Sequence, residues 1–445
     1  MSAETLAVNR QQASRRRATA VFLGVCLFNF AGYGLIINCF GLFLSPVSVA
    51  QNISITEISL THTVRTLCGM AGTVLAGRLM PRYDLRKYLA LVCLGLAGAA
   101  VLTARSTVFW HFMLSAALLG FAAGLGIYTL VPLVISEWFT APGGYIGLAT
   151  ACGGLGGIVF SPVLAWVIQC RGWQAGYLLI AAVALLVMLP AGVFLIRFRP
   201  GELGLEPCTG KKTVRAGRRE SVPLPMDAGV TPDQAAHMPV FYLIIGMFIA
   251  VSLVSGAYTH VPAMLRAKGY GEMAVGGLNA CYQMGAALTQ FLLGALSVRW
   301  GIRRTMELFL TIIGVGAVGL LLTGSESVIL TGVFALMLGG GRALGVVEGP
   351  ILVREAFGHR CYNTIFSNLY TAYLTACALT TTIYGLIYDS TGSYTVVFLF
   401  ILVCIVLAAL TVFGSLFCIR RSVWRAAAAA QRHTCLLYTS PSPRD

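Results

Sequence analysis

Two short basic segments with matching spacing decide how this chain is organised. Residues 77–87 read GRLMPRYDLRK, and residues 294–304 read GALSVRWGIRR. Each follows a long apolar run, and four positions recur at an offset of 217: Gly77, Arg82, Arg86 and Lys87 match Gly294, Arg299, Arg303 and Arg304. At an offset of 218, three further positions recur: Pro132, Glu137 and Phe139 match Pro350, Glu355 and Phe357. Chance similarity of helix ends is the alternative, but the regular spacing predicts two parallel copies of one unit.

The composition indicates an integral membrane protein. Of the 445 residues, 57% are hydrophobic and 11% are charged, against about 45–50% and about 25% in soluble domains. The net charge of +15 would suggest nucleic acid if it lay on one solvated face. Instead the charges stand at the ends of apolar runs, so no nucleic-acid partner is expected. Thirteen cysteines are scattered without metal or disulfide spacing, so neither a metal nor a cofactor is predicted.

Twelve apolar runs are long enough to cross a bilayer as helices. A helical span needs about 20 apolar residues, and open strands cannot cross lipid with unpaired backbone groups. The predicted fold is therefore an all-α integral membrane protein with twelve transmembrane helices in two six-helix bundles. The spans are expected at residues 19–44, 56–79, 88–105, 109–137, 143–169, 174–197, 239–265, 273–298, 304–324, 327–354, 362–388 and 394–418.

The distribution of Lys and Arg predicts the orientation. With a cytoplasmic N-terminus, 25 of these residues lie inside and four lie in outer loops, as the positive-inside rule requires. We expect a multi-pass protein of the inner (plasma) membrane with both termini cytoplasmic. Residues 435–445 resemble the in-frame translation of a sequencing adapter and are excluded from fold reasoning. The predicted division is a cytoplasmic N-terminus at 1–18, a first bundle at 19–197, a cytoplasmic linker at 198–238, a second bundle at 239–420 and a tail at 421–445.

These features resemble the major facilitator superfamily over about residues 19–420. Its loop signature, G-x-x-x-D-R-x-G-R-R/K, is similar to residues 77–87, although Pro81 replaces the acid and Asp84 replaces the second glycine. The glycines of residues 147–157 are similar to the family's fifth helix, and residues 137–149 resemble its monocarboxylate and oxalate/formate branches. The resemblance implies secondary active transport by alternating access. It also implies gating loops that contain Gly77, Arg82, Arg86, Lys87, Gly294, Arg299, Arg303 and Arg304.

Ionisable side chains at membrane depth are costly and usually face a cavity or a partner. Arg342 lies near the middle of the tenth run and is the strongest candidate for a binding residue. Its alternative role is a structural ion pair with Glu348, but six residues along a helix place the two on different faces. His62 and Arg65 share a face of the second span. Arg65 either faces the cavity or extends to the outer surface, and His62 is either a proton carrier or a packing residue.

The cavity charge is therefore predicted to be positive, because the first and fourth spans contain no deep acid. Guanidinium groups bind carboxylates bidentately, so a small organic anion is the expected cargo, with protons or a counter-anion as coupling partner. We expect a monomer surrounded by lipid. Polar residues that can complete the site, or merely bond helices together, are Asn29, Tyr33, Tyr282, Gln283, Tyr370 and Tyr373.

Two other functions fit parts of the pattern. The 10% aromatic content would suit an exporter of lipophilic drugs, although the missing deep acid argues against cationic cargo. A membrane sensor on a transporter scaffold is the second alternative. An enzyme is not expected, because none of the metalloprotease, hydrolase or nucleotide-binding motifs occurs in the sequence.

Overall fold

The computed structural model describes residues 3–139, 143–203, 205, 230–324, 327–358 and 361–438. This part of the chain is almost entirely helical and contains no strand of a sheet. The α-helices are α1 Ala3–Ala31, α2 Leu44–Gln51, α3 Ile55–Leu79, α4 Leu85–Ala104, α5 Phe109–Trp138, α6 Gly143–Val183, α7 Pro232–Ala236, α8 Pro239–Ser255, α9 Val261–Ala267, α10 Glu272–Trp300, α11 Ile302–Leu322, α12 Val328–Gly339, α13 Gly341–Phe357, α14 Tyr362–Thr391 and α15 Tyr394–Tyr438.

Eight helical stretches in the described part are long and apolar enough to cross a membrane. One of them, Gly144–Leu195, contains two predicted spans, and a non-helical glycine, Gly172 with φ 81°, interrupts it between them. Helices α3, α10 and α14 are long but too polar to be counted among the eight. These three helices occupy the second, eighth and eleventh predicted spans. Together with the nine spans contained in the eight apolar stretches, they account for all twelve predicted helices.

The polar helices lie where the two bundles meet. Helix α3 packs along α14, and α6 packs along α10, so their polar faces are covered by protein rather than lipid. Glycine permits the close approach at both contacts. A Cβ at Gly385 would lie 2.8 Å from the Thr56 Cα, and one at Gly276 would lie 2.6 Å from the Ala165 Cβ. Small residues at such positions allow helix backbones to approach closely.

Three spans that the sequence predicts as continuous are interrupted, which corrects runs 19–44, 239–265 and 327–354. A π-helical segment, Gly32–Ile37, follows α1; a 3-10 turn, Gly256–Thr259, follows α8; and Gly340 separates α12 from α13. Apolar periodicity cannot reveal such breaks, because each side of the break is equally apolar. Irregular backbone is tolerated at membrane depth where protein or a cavity surrounds it.

Hydrogen bonds between the described parts of the two bundles lie at the centre of the molecule and towards one of its ends. We define the basic face as the end of the molecule that carries residues 77–87 and 294–304. The hydrogen bonds between the bundles described below lie at the centre of the spans or in the half farther from the basic face. At the opposite end, the Thr56 N–H donates to Asp389 Oδ2 at 2.8 Å, and Arg266 Nη2 donates to the Leu42 carbonyl at 3.0 Å.

The predicted boundaries of the domains and tail remain predictions. Much of the linker, residues 206–229, lies outside the described residues, as do residues 439–445. The backbone of α15 continues to Tyr438, beyond the predicted end of the twelfth span at residue 418.

Candidate functional site

Arg342 connects the two bundles at the centre of the membrane-spanning region. Its Nη1 donates to Asn38 Oδ1 at 3.0 Å and to Gln283 Oε1 at 2.8 Å. The guanidinium carbon lies 4.3 Å from the centre of the Tyr258 ring. Arg342 is in the first turn of α13, Asn38 follows the π-helical segment of the first span, and Tyr258 is in the 3-10 turn of the seventh. The three interrupted spans therefore bring these residues together.

Neutral groups surround the guanidinium of Arg342. Among the described side chains, the ion pairs are Arg199–Glu137, Arg266–Glu272 and Arg303–Glu307, and none involves Arg342. The side chain of Glu348, the partner considered from the sequence, lies outside the described residues. A charge removed from water without a counter-charge is expensive, so the two amide oxygens and the tyrosine ring are the described groups that stabilise this half-buried cation.

The two amide acceptors are held in fixed orientations. Gln283 Nε2 donates to the Asn38 carbonyl at 2.8 Å, and Asn38 Nδ2 donates to the Gly153 carbonyl at 3.0 Å. Each NH₂ group is thus engaged elsewhere, which leaves the amide oxygens directed at Arg342. A Cβ at Gly157 would come within 2.9 Å of Asn38 Nδ2, so the glycine-rich fifth span makes room for this arrangement.

Tyr258 links Arg342 to His62. Its hydroxyl lies 3.0 Å from His62 Nε2, and His62 Nδ1 lies 3.3 Å from Thr381 Oγ1. Thr381 in turn accepts a hydrogen bond at its carbonyl from His260 Nε2, at 2.9 Å. His62 is only 4% exposed. A chain of polar contacts therefore runs from the central cation to the α3–α14 contact.

Arg65 is buried beneath the first span and does not extend to the surface. It is 4% exposed, its guanidinium carbon lies 4.4 Å from the Phe40 ring centre, and Nη1 donates to the Ile36 carbonyl at 3.1 Å. Its Nε has no hydrogen-bond partner among the described residues, and the residue borders a cavity of about 20 Å³, enough for about one water. Of the two roles considered from the sequence, the one in which Arg65 reaches the outer surface is wrong.

Several predicted tyrosines surround Arg342. The hydroxyl groups of Tyr33, Tyr282 and Tyr373 are close enough to interact electrostatically with its guanidinium. The Tyr282 hydroxyl is buried and has no hydrogen-bond partner among the described residues. Tyr370 stacks on Tyr373, with ring centres 5.1 Å apart. The structure therefore groups these side chains with Arg342 and Gln283.

Asn29 forms a helix-helix hydrogen bond, the alternative that the sequence left open beside a binding role. It is 4% exposed, and Nδ2 donates to the Ala149 carbonyl at 2.9 Å. This bond connects α1 to α6 within the first bundle. A Cβ at Gly153 would lie 2.9 Å from Asn29 Nδ2, which shows how tightly the amide is enclosed. A binding role for Asn29 stays a prediction.

The residues predicted to belong to gating loops lie on the basic face, away from Arg342. The side chains of Arg82, Arg86, Lys87, Arg299, Arg303 and Arg304 are all exposed, and Gly77 and Gly294 have open space around them. Within the described set, Arg303 forms an ion pair with Glu307 at 3.0 Å. Asp84, which replaces the signature glycine, caps α4 by accepting from the Arg86 N–H.

Three residues that contact this site were not predicted from the sequence: Asn38, Tyr258 and Thr381. Asn38 was the only other amide in the first apolar run, and the glycines Gly34 and Gly41 around it were a usable signal of an interrupted helix. Tyr258 similarly follows Gly256. No cluster of three or more His, Cys, Asp or Glu residues suited to a metal occurs among the described residues.

A sequence-family model described as the Major Facilitator Superfamily matches residues 22–360. The riboflavin transporter MCH5 of Saccharomyces cerevisiae is 27% identical over 139 residues, which is 29% of this chain and 26% of the yeast protein. The match thus spans about a quarter of that relative.

Two solved transporter structures share the fold at low sequence identity. A bacterial homologue of the human lysosomal transporter Spinster, inward-facing and unoccupied, has a TM-score of 0.64 at 14% identity and covers 92% of this chain and 97% of its own. A mutant of the nucleoside transporter NupG has a TM-score of 0.67 at 13% identity and covers 89% of this chain and 99% of its own.

Proposed function

Because the chain belongs to the Major Facilitator Superfamily and is a multi-pass membrane transporter, we propose that it carries a small organic anion, such as a monocarboxylate, by alternating access. The observation that supports this substrate class is the guanidinium of Arg342. It has neutral amides and a tyrosine ring around it, and no described carboxylate pairs with it.

The cargo carboxylate is proposed to replace the amide oxygens at Arg342. Asn38 Oδ1 and Gln283 Oε1 both accept from Nη1, which is where carboxylate oxygens would accept. An ionised acceptor forms a shorter and stronger bond than a neutral amide. The exchange is therefore favourable provided that the anion's own dehydration cost is met, and the Tyr282 hydroxyl, which has no hydrogen-bond partner among the described residues, offers a further donor nearby.

The same exchange would release a contact between the bundles. Asn38 belongs to the first bundle, whereas Gln283 and Arg342 belong to the second. Arg342 bound to a carboxylate no longer needs Asn38 as an acceptor, so anion binding weakens one bond that joins the bundles. In a transporter with parallel repeats, such a change at the midplane biases the rocking of one bundle against the other.

We further propose that the basic face is cytoplasmic, that the protein acts as a monomer in the inner membrane, and that protons or a counter-anion drive the flux. The exposed cations of both gating loops support the orientation. His62 is the candidate proton carrier because it contacts Tyr258 directly. Arg65 contributes a second positive charge near the same path.

Uptake into proteoliposomes tests the proposal. Labelled lactate, pyruvate, formate and oxalate are offered to the wild type, to Arg342→Ala and to Arg342→Lys. Removing one partner of a buried charge pair costs about 2–5 kcal/mol, so Arg342→Ala is expected to lower uptake at least about thirtyfold, with partial recovery in Arg342→Lys. Arg199→Gln, which removes an exposed arginine at the basic face, is the matched control.

Undiminished anion uptake by folded Arg342→Ala would remove Arg342 from the site. Uptake of no tested anion, together with protection of cells against lipophilic cations, would favour the drug exporter instead. Anion binding without flux would favour the sensor.

A further inference from the structure

A column of four stacked rings runs along α14 towards the basic face. Tyr362 stacks on Phe366 with ring centres 5.6 Å apart, Phe366 on Tyr370 at 5.1 Å, and Tyr370 on Tyr373 at 5.1 Å. The interplanar angles are 11°, 22° and 21°, so the rings are nearly parallel. The column ends near Arg342 at Tyr373 and near the basic face at Tyr362.

A cavity of about 300 Å³ lies at the basic-face end of this column. It is lined by Pro350, Ile351, Arg354 and Tyr362. Tyr362 is the first residue of α14, so no earlier ring of its own helix covers the face that points away from Phe366. The Tyr362 hydroxyl lies 3.5 Å from the Pro350 carbonyl, which fixes the ring across one side of the cavity.

Arg354 adds a positive charge to the same cavity. It is close enough to interact electrostatically with Tyr362. A cavity of about 150 Å³ accommodates a benzene ring, so the available volume holds an aryl group together with an anionic substituent. An aromatic ring gains from offset stacking on another ring, and a carboxylate gains from a guanidinium.

The two halves of the chain differ at this place. At the 218-residue offset, Pro350 corresponds to Pro132, but Arg354 corresponds to Ser136 and Tyr362 to Gly144. The first bundle therefore has the same helix-end proline without the cation or the ring. The cavity chemistry is a feature of the second bundle and does not follow from the repeat itself.

We propose that this cavity is an entry subsite for aromatic carboxylates, in which the aryl ring of the ligand extends the column as a fifth ring beyond Tyr362 and its carboxylate pairs with Arg354. This proposal rests on the proposed anion transport, and it gives planar aryl carboxylates an advantage over other small organic anions at the point of entry. A ligand released from the subsite reaches Arg342 along the ring edges of the column, which carry positive partial charge.

Equilibrium binding of labelled benzoate to the purified full-length protein tests the subsite. Cyclohexanecarboxylate serves as a probe of the same charge and similar size without a flat ring. Tyr362→Leu is expected to weaken benzoate binding about three- to tenfold and to leave cyclohexanecarboxylate unchanged. Arg354→Gln is expected to weaken both. The matched control for Tyr362→Leu is Tyr242→Leu, which changes an exposed tyrosine on α8. The matched control for Arg354→Gln is Arg199→Gln, which changes an exposed arginine.

Measurements in the Arg342→Ala background separate the two proposals. Residual benzoate binding that is sensitive to Tyr362→Leu supports the subsite, even if no anion is transported and the proposed function fails. If carboxylate uptake depends on Arg342 but the wild type and Tyr362→Leu bind benzoate with equal affinity, the proposed function stands and only the subsite is overturned. Equal affinities of the wild type for benzoate and cyclohexanecarboxylate also overturn it, since they remove the role of the flat ring.

Discussion

Tyr258 contacts both Arg342 and His62, with its ring 4.3 Å from the Arg342 guanidinium carbon and its hydroxyl 3.0 Å from His62 Nε2. The two contacts use different parts of one side chain. The ring stabilises the cation, whereas the hydroxyl reaches the α3–α14 contact between the bundles. Tyr258 therefore links the proposed binding residue to the contact between the bundles.

Tyr258→Phe separates these two roles. The variant keeps the ring over Arg342 and removes the hydrogen bond to His62, so anion affinity is expected to stay within about threefold of wild type because the cation–π contact is retained. Transport is expected to slow, because the connection between the site and the bundle contact is lost. Binding and uptake of lactate measure the two effects independently.

Tyr258→Leu, which removes the ring as well, is the comparison variant. It is expected to change both binding and transport. Equal transport by Tyr258→Phe and wild type would show that the hydroxyl contributes nothing to coupling.

Asn38→Asp is expected to inhibit transport by supplying an internal anion. The new carboxylate occupies the place of Asn38 Oδ1, 3.0 Å from Arg342 Nη1, and competes with cargo for the guanidinium. Close charge pairs at such distances couple by about 1.5–7 kcal/mol, so anion affinity is expected to fall at least about tenfold. Titration with lactate followed by thermal unfolding measures the loss, because a bound ligand raises the melting temperature.

Asn38→Leu distinguishes competition from simple loss of the amide. It removes the acceptor without adding charge, and its effect on affinity is expected to be smaller than that of Asn38→Asp. Without ligand, Asn38→Asp is also expected to have a higher melting temperature than the wild type, because the new carboxylate pairs with Arg342. The idea fails if Asn38→Asp binds lactate as well as the wild type does.

The sequence was sufficient for the fold and for the deep cations, but it could not identify their partners. Arg342 and Arg65 are recognisable because a charge inside a long apolar run is costly wherever it lies. Asn38, by contrast, lies 304 residues from Arg342, and that contact depends on how two bundles meet. Hydropathy does not change across the breaks beside Asn38, Tyr258 and Arg342, so only the glycines next to them could have indicated that the helices are interrupted there.

Asp389→Asn is expected to weaken closure on the side opposite the basic face. The carboxylate accepts the Thr56 N–H at 2.8 Å, at the N-terminus of α3, where a negative charge is favoured. A bond to a charged acceptor contributes about 1 kcal/mol more than one to a neutral acceptor, so the open population is expected to rise roughly fivefold. Spin labels at Ala50→Cys and Ser390→Cys, in a background without other reactive cysteines, report the separation of the bundles there.

Asp233→Asn, an exposed acid on α7, is the matched control for that experiment and is expected to leave the distance distribution unchanged. An unchanged distribution in Asp389→Asn as well would mean that other contacts, such as Ser59 with His260, hold this side closed without help from the carboxylate.

Gly120→Ala is expected to destabilise the first bundle and to displace Arg65. A Cβ at Gly120 would lie 2.0 Å from the Arg65 carbonyl oxygen, and backbone cannot yield as a flexible side chain does. Overpacking typically costs about 1–3 kcal/mol, so the melting temperature is expected to fall measurably. Gly98→Ala on α4, where no atom lies within 4 Å of the added Cβ, should leave stability unchanged or raised, because alanine favours helix. Because α3 also carries His62, the transport rate of Gly120→Ala is expected to fall by a larger factor than the fraction of protein that is folded. If the transport rate falls only in proportion to the folded fraction, the close α3–α5 contact contributes to stability alone.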